Sequence, residues 1–381
     1  MALTKSYLLT PGPTPVPEDA LLSMAKPIIH HRTPEFMEIF KEVSENLKYV
    51  FQTQYDVLVF TASGTGAMEA AVCNLLSPGD KAITVQGGKF GERWTEICRA
   101  YNITALPIDV EWGKAVNPKD IEALLKQHSD VQAVFTTLCE TSTGVHVDVK
   151  TIAEMMKKYN AVLVVDAISG LGAVDIKTDE WGIDCVVAGS QKGLMIPPGL
   201  AFVSLSKKAW EKVEQSKSPK YYFDFKATKK AIEKTDTPFT PAITLVIALR
   251  ETLRMMKQEG LDVVFSRHRK LANATRAAMK AMGLELFAPT APSDCVTAVK
   301  VPAGIDGEKL VKLMRDKYGV GIAGGQAELK GKVFRIAHMG FIRDTDIVTA
   351  INVLTMALME MGYKCDVASG INALMQELMK K

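Results

Sequence analysis

Two charged residues, a lysine and an aspartate, follow neighbouring apolar runs and could do chemistry together. Lys192 stands in the glycine-containing segment 189–193, just after the apolar run 185–188, and Asp166 closes the apolar run 161–165. A lysine amine can condense with an aldehyde, and a carboxylate can keep a pyridine nitrogen protonated so that the ring accepts electrons. The pair therefore predicts a pyridoxal 5′-phosphate site.

A turn that suits a phosphate precedes this pair. Ser63, Gly64 and Thr65 join the apolar run 57–60 to a helix predicted at 67–76. Glycine lets the backbone approach an anion, and the first N–H groups of a helix can hold a phosphate. Each motif also has an ordinary alternative, since such turns cap helices, aspartates cap turns, and loop lysines are usually solvated. Their joint occurrence favours the cofactor site.

Two further loops carry side chains that suit a flat cofactor. Phe90 follows a strand predicted at 82–85, where its ring could stack on the cofactor or pack in the core after a turn. Thr141 lies in a hydroxyl-rich loop that follows a strand predicted at 131–135. Loops at the carboxyl ends of parallel strands face the crevice where α/β sheets bind ligands, although an ordinary turn is the alternative.

The elements that must position these residues alternate between short apolar strands and helices. Such alternation predicts an α/β fold with a largely parallel sheet covered by helices on both faces. The predicted strands are 57–60, 82–85, 131–135, 161–165 and 185–188, and the helices between them include 67–76, 92–101 and 149–159.

The chain divides into three parts by composition. An N-terminal arm is predicted over residues 1–20, and its proline-rich segment 10–17 cannot be a helix or a central strand. A large domain is predicted over 21–257 and a smaller C-terminal α/β domain over 258–381. The C-terminal pattern predicts helices at 244–257, 263–282, 307–318, 345–361 and 367–379, and strands at 296–301 and 333–336.

Bulk composition indicates a globular protein without a charge signal for nucleic acid or membranes. The 381 residues are 47% hydrophobic, and 46 basic against 43 acidic side chains give a formal net charge of +3. The six cysteines are isolated in sequence, which argues against a zinc site and favours a reducing compartment. Because the N-terminus has no signal-peptide pattern, we expect a cytoplasmic protein that binds no metal.

Taken together, the motifs resemble those of class V, fold-type I pyridoxal-phosphate aminotransferases, and especially the alanine–glyoxylate and serine–pyruvate aminotransferase family. The similarity runs from the Pro-Gly-Pro arm at 11–13 to beyond Arg335. Its most specific part is the Ser-Gln-Lys segment 190–192 followed by 197–199, and the segments 165–169 and 331–336 also match. The resemblance implies a mostly parallel sheet of the seven-stranded type.

The resemblance also implies roles for individual residues. Lys192 would carry the cofactor and shuttle a proton, Asp166 would pair with the pyridine nitrogen, and Phe90 would stack on the ring where some members have tryptophan. Arg335 would bind the substrate α-carboxylate with its bidentate fork, and Gly12 of the arm would lie beside the substrate. The phosphate would be held by Ser63, Gly64, Thr65 and Gln191, the ring hydroxyl by Thr141, and a partner subunit's phosphate by Thr240.

The implied reaction is ping-pong transamination from alanine or serine to glyoxylate or pyruvate, in a homodimer. No second arginine is convincingly placed for a dicarboxylate side chain. A lyase of the same fold, such as a cysteine desulfurase, is the alternative, but neither Cys295 nor Cys365 lies in the motif which that chemistry uses. A nucleotide-binding module is a third hypothesis, and the glycine fingerprint expected for it is absent near Ser63.

Overall fold

The structure is a computed structural model that describes residues 5–380. Residues 1–4 of the predicted arm and residue 381 of the predicted C-terminal domain lie outside the described residues. The strands are β1 Tyr7–Leu8, β2 Val57–Phe60, β3 Lys81–Gln86, β4 Thr104–Asp109, β5 Val131–Thr137, β6 Cys139–Glu140, β7 Val145–His146, β8 Val162–Asp166, β9 Cys185–Gly189, β10 Ala201–Leu205, β11 Val296–Lys300, β12 Val320–Gly321, β13 Ala323–Gly324 and β14 Val333–Ala337.

Helices connect most of these strands. They are α1 Glu18–Met24, α2 Pro34–Phe51, α3 Gly64–Leu75, α4 Lys89–Ala100, α5 Pro118–Gln127, α6 Val149–Met156, α7 Thr178–Trp181, α8 Lys207–Gln215, α9 Phe225–Ile232, α10 Ile243–Glu259, α11 Leu261–Ala281, α12 Gly307–Asp316, α13 Asp344–Glu360 and α14 Val367–Leu378, with a short 3₁₀ turn at Ala327–Leu329.

A seven-stranded sheet forms the centre, with the strand order β2-β10-β9-β8-β5-β3-β4. Only β10 runs against the others, being antiparallel to both β2 and β9. The predicted α/β class and the mostly parallel seven-stranded sheet are therefore confirmed. Because all the other strands point the same way, the loops after β2, β3, β5, β8 and β9 meet at one edge.

Both faces of this sheet are buried, which explains why its strands are apolar throughout rather than alternating with polar residues. On β8, Val162 and Val164 enter the core cluster on one face, and Leu163 and Val165 enter the cluster on the other. This two-residue alternation is the pleat of the strand. Helices α3 and α8 contribute to the first cluster, and α2 and α10 contribute to the second.

A smaller antiparallel sheet of order β11-β14-β13 lies in the C-terminal part and has its own core. The N-terminal arm joins this part, because β1 pairs in parallel with β12, Tyr7 opposite Val320, and Leu9 is buried in the same core. Helix α11 contributes Val264 to the core of the central sheet and Leu271 to the core of the smaller sheet. The domain boundary near residue 257 stays a prediction, and it falls just before this shared helix.

Candidate active site

The lysine and aspartate singled out above lie on adjacent parallel strands of the central sheet. Asp166 is the last residue of β8, and Lys192 follows the end of β9, which pairs with β8 so that Asp166 stands opposite Val187. Both side chains are buried, at 3% and 8% exposure. Burial raises the pKa of Asp166 to about 7 and lowers the pKa of Lys192 to about 8. The amine is thus partly neutral near physiological pH, which suits a nucleophile or a base.

The N-terminal arm lies directly on this lysine. The Nζ of Lys192 donates to the carbonyl oxygen of Pro11, and the Oγ1 of Thr14 donates to the carbonyl oxygen of Lys192 at 2.9 Å. Gly12 has a φ of +132°, and a Cβ atom built on it would lie 2.4 Å from the Cε of Lys192. The position therefore requires glycine both for its backbone conformation and for this close approach.

The phosphate-type turn opens helix α3 at the carboxyl end of β2. Ser63 precedes the helix and is exposed, as is Thr65, whereas Gly64 is buried. A Cβ atom on Gly64 would lie 2.6 Å from the Cδ1 of Ile168, so only a glycine fits there without displacing that side chain. The backbone N–H groups at this helix start are available to an anion.

Gln191 lies beside the same turn. A Cβ atom built on Gly189 would lie 3.1 Å from the Oε1 of Gln191 and 3.3 Å from the Cα of Gly64, so the two are neighbours. The Oε1 is buried and finds no hydrogen-bond partner among residues 5–380. Because the oxygen and nitrogen of a glutamine amide exchange by a half-turn, this group can donate to an anion at the turn. The turn and the unpartnered amide therefore fit a phosphate.

Phe90 lies in the first turn of α4, which starts at the carboxyl end of β3. Its ring centroid is 6.0 Å from the Nζ of Lys192. The guanidinium carbon of Arg93 lies 5.1 Å from the same centroid, and its Nη1 donates to the Oγ1 of Thr65 at 3.1 Å. The sequence prediction missed Arg93, although its spacing of three from Phe90 on a helix is a signal that the two side chains are neighbours.

Glu140 is a second residue that the prediction missed. Its buried carboxylate accepts from the backbone N–H groups of Phe90 at 3.2 Å and of Gly91 at 2.9 Å, and it thereby holds the start of α4. Burial raises the pKa of Glu140. Its position next to Thr141, already a candidate, is the signal that could have found it.

Arg335 reaches the site from β14 of the smaller sheet and is 4% exposed. Its Nε and Nη2 donate to the carbonyl oxygen of Gly324 at 3.0 and 2.7 Å, and its Nη1 donates to the carbonyl oxygen of Thr141 at 2.8 Å. These bonds leave one N–H on each terminal nitrogen for a carboxylate. Burial lowers the pKa of Arg335 to about 10, so it stays charged at neutral pH.

Thr141 contacts residues from both parts of the site, the loop that follows β8 of the central sheet and the smaller C-terminal sheet. Its carbonyl receives Arg335, and its Oγ1 lies 3.5 Å from the Oγ of Ser169 in the loop after Asp166. Thr141 is 2% exposed, so the hydroxyl faces the interior rather than solvent. Thr141 therefore contacts both the loop that follows Asp166 and the side chain of Arg335 on β14.

Thr240 does not share these contacts. It is exposed and makes no side-chain hydrogen bond within the described part of the chain. The surrounding segment lines a small cavity with Phe60 and Leu200, and the N–H of Ala242 donates to the Oγ1 of Thr61 at 3.0 Å. Nearby, Tyr221 is 82% exposed. This stretch of surface contains both the candidate residue and an unusually exposed aromatic ring.

The two C-terminal cysteines are not arranged as nucleophiles. Cys295 is fully buried, and its N–H donates to the Oγ of Ser293, which also lies 2.8 Å from the Sγ of Cys139. Cys365 is half-buried between α13 and α14, and burial raises its pKa. All six cysteines are unpaired. Within residues 5–380, no three His, Cys, Asp or Glu side chains form a group that could hold a metal ion, and none of the helices is long and apolar enough to cross a membrane.

Comparison with protein families gives a match over most of the chain. Residues 6–344 match the family model described as "Aminotransferase class-V". The structure of ureidoglycine–glyoxylate aminotransferase from Bacillus subtilis superposes with a TM-score of 0.95 at 30% identity, covering 100% of both chains.

Several curated relatives are similar over nearly their whole length. A protein named "Soluble hydrogenase, small subunit" of Synechococcus sp. is 47% identical, covering 94% of each chain. Serine–glyoxylate aminotransferase of Hyphomicrobium methylovorum is 38% identical, covering 96% of this chain and 93% of the relative. L-Aspartate–glyoxylate aminotransferase of Paracoccus denitrificans is 36% identical, covering 97% and 95%.

Proposed function

This chain belongs to the class-V aminotransferase family, which uses pyridoxal 5′-phosphate, and on that premise we propose that it transfers the amino group of alanine or serine to glyoxylate or pyruvate. The observation that carries this proposal is that three buried side chains, Lys192, Asp166 and Arg335, lie close enough for the charges of Asp166 and Arg335 both to act on the Lys192 amine. They supply an amine, a carboxylate and a carboxylate-binding fork.

The cofactor fits the residues that are present. When bound, pyridoxal phosphate supplies an aldehyde that captures the substrate amino group and a ring that withdraws electrons from the substrate Cα. The carboxylate of Asp166 would hold a proton at the ring nitrogen. Phe90 provides an apolar wall for the ring, and Ile168 provides a second one. Ile168 is held beside Asp166, because the N–H of Ile168 donates to the Oδ1 of Asp166 at 2.8 Å. The turn at Ser63 to Thr65 and the amide of Gln191 hold the phosphate.

Lys192 moves the proton. Its amine, with a pKa that burial lowers to about 8, would remove the proton from Cα of the amino acid that is consumed and would return a proton to Cα of the amino acid that is formed. Burial also excludes water from the amine, so that the proton is not lost to solvent between the two steps. Lys192 would therefore act as a base in one half-reaction and as an acid in the other, and the two halves together make a ping-pong cycle.

Arg335 orients the substrate. A carboxylate held by its two remaining N–H groups would place Cα near Lys192, with Gly12 of the arm beside it. A small side chain is favoured because the arm lies directly against the lysine. The relative named serine–glyoxylate aminotransferase supports serine as donor, and the relative named L-aspartate–glyoxylate aminotransferase makes aspartate the competing donor.

A donor and acceptor panel tests this proposal. Alanine, serine and aspartate should each be paired with glyoxylate and with pyruvate, and the products measured by chromatography. We expect alanine or serine to exceed aspartate in kcat/KM, and parallel lines in double-reciprocal plots, as a ping-pong cycle requires. Faster turnover of aspartate than of both small donors would contradict the proposed substrate class, and intersecting lines would contradict the cycle.

We propose further that the active form is a homodimer in which Thr240 of one chain reaches the phosphate of the other. Ser63 and Thr65 are exposed in the single chain although a bound phosphate needs to be enclosed, and Thr240 and Tyr221 are exposed as well. A second copy of the chain would cover both surfaces. A cytoplasmic location remains a prediction, supported by six unpaired cysteines.

A further inference from the structure

Arg93 is a cation beside the phosphate turn, and it has no role in the function proposed for the other site residues. We propose that it binds the phosphate of the cofactor and supplies the positive charge that the turn lacks, an inference that rests on the proposed function. Two independent contacts carry it. The guanidinium lies against Phe90, on the ring wall, and it donates to the Oγ1 of Thr65, in the phosphate turn. Arg93 therefore contacts both the residue proposed to stack on the cofactor ring, Phe90, and a residue proposed to hold the phosphate, Thr65.

The charge balance of the turn calls for such a residue. The 5′-phosphate carries up to two negative charges, but Ser63, Thr65 and Gln191 are neutral donors. The start of helix α3 adds only about half a positive charge. A guanidinium adds a full charge and offers two parallel N–H groups to a phosphate, which makes arginine the usual partner of such anions.

Arg93 is also free to take this role. It makes no ion pair with a carboxylate in the described part of the chain, in contrast to Arg254 and Arg267, which pair with Glu42 and Glu259. Its hydrogen bond to Thr65 leaves further N–H groups unused. Arg93 is therefore a half-buried arginine that has no acidic partner and is hydrogen-bonded to the phosphate turn. This arrangement leaves its charge available to a bound anion.

A neutral structural role is the competing explanation, since Arg93 could serve only to pack behind Phe90. The two roles differ in what they predict for ligands that lack the phosphate. Packing would support pyridoxal and pyridoxal phosphate equally, because both present the same ring. A charge contact with the phosphate would support pyridoxal phosphate alone.

The test measures binding of pyridoxal phosphate and of pyridoxal to the cofactor-free protein by absorbance titration. We expect Arg93→Gln, which keeps a donor for Thr65 but removes the charge, to raise the Kd for pyridoxal phosphate on the order of tenfold and the Kd for pyridoxal less than twofold. Arg93→Lys should recover most of the affinity because it keeps the charge. Arg99→Ala, an exposed arginine at the end of the same helix, is the matched control and should change neither constant.

The outcomes separate the inference from the function on which it rests. If the wild type binds pyridoxal phosphate and Arg93→Gln binds it equally well, or loses both ligands equally, the phosphate role is wrong. If Arg93→Lys is as weak as Arg93→Gln, the charge is not what matters, and the inference is again overturned. A wild type that binds neither ligand would instead overturn the proposed function. Far-UV circular dichroism of each variant shows that a loss of binding is not a loss of fold.

Discussion

A Cβ atom on Gly12 would lie 2.5 Å from the Nζ of Lys192, too close for a carbon and a nitrogen that are not bonded to each other unless one of them moves. Gly12 of the arm and Lys192 therefore pack so closely that no side chain fits between them. Replacing Gly12 with alanine is a direct probe of Lys192, because the one carbon atom that alanine adds overlaps the position of the amine.

We predict that Gly12→Ala lowers kcat at least about 100-fold, since the methyl group must displace the amine by more than an ångström. The φ of +132° adds backbone strain on the order of 1–3 kcal/mol. Gly304→Ala is the matched control, because Gly304 has a φ of +82° and open space around it. Comparable loss of activity in both variants would show that strain, and not the contact with Lys192, is responsible.

Lys192→Ala should abolish transamination and leave the protein folded. In the wild type, borohydride reduction should attach the cofactor covalently to a single lysine, and peptide mass spectrometry should place it at Lys192. Lys208, which donates to the carbonyl oxygen of Ala161 at 2.7 Å, is a structural lysine and should stay unlabelled. Label at any lysine other than Lys192 would make the assignment wrong.

Asp166→Asn should stabilise the cofactor-free protein at neutral pH. Burial raises the pKa of Asp166 to about 7, so between roughly pH 4 and pH 7 the folded state holds a proton that the unfolded state has released. Stability therefore falls as pH rises through this window. We expect the variant to unfold with a free energy larger by on the order of 2 kcal/mol at pH 8 and nearly equal at pH 4.

Urea denaturation at both pH values measures this difference. The same pair of proteins loaded with cofactor provides the control, because a protonated ring nitrogen opposite Asp166 favours the carboxylate and should reverse the order. Equal free energies of unfolding at pH 8 without cofactor would mean that burial does not destabilise the charged form of Asp166.

Replacing Arg335 with lysine should raise KM for alanine and glyoxylate alike, on the order of 10- to 100-fold, because both present the same carboxylate to the lost bidentate fork. The cofactor Kd should change little. Arg315→Lys, on the exposed face of α12, is the control for the chemical change alone. A KM effect confined to one of the two substrates would indicate that Arg335 reads something other than the shared carboxylate.

Mixing two inactive variants tests the composite site. Lys192→Ala and Thr240→Arg should each be inactive alone, and their mixed dimer should regain one working site. The chain with Thr240→Arg supplies Lys192 and receives the other chain's intact Thr240. A verified mixed dimer without recovered activity, or a cofactor-loaded monomer in sedimentation velocity, would contradict the proposed sharing.

The sequence was most informative where local pattern and burial agree. The strand at Cys185–Gly189 ends one residue from its predicted bound and the helix at Val149–Met156 ends three residues from its own, because fully buried strands are continuously apolar and the helix has one clear apolar face. The candidate residues Lys192, Asp166, Thr141 and Arg335 are brought together, and the spacing of strand ends along the chain already implied part of this.

Contacts between distant segments could not be predicted in the same way. The sequence pattern does not predict the strand Thr104–Asp109, because this strand lies at the sheet edge, is only partly buried and contains a proline. The strand Ala201–Leu205 is the one strand of the central sheet that runs against the others, and it follows the segment 197–199 that the sequence associates with the lysine motif. The contact of the arm with Lys192 is set by backbone conformation at Gly12, for which sequence patterns give no direct signal.

The pairing of Tyr7 with Val320 also fixes when the site can be completed during synthesis. A ribosome releases the arm first and the strand that receives it near the end, so a nascent chain has its central sheet and Lys192 long before it has a partner for the arm. During that interval no strand holds the arm in the position where the carbonyl of Pro11 accepts from the Lys192 amine. Competence for catalysis therefore arises only after almost the whole chain has emerged, and a truncated product that stops before β12 lacks the strand that holds the arm over the lysine.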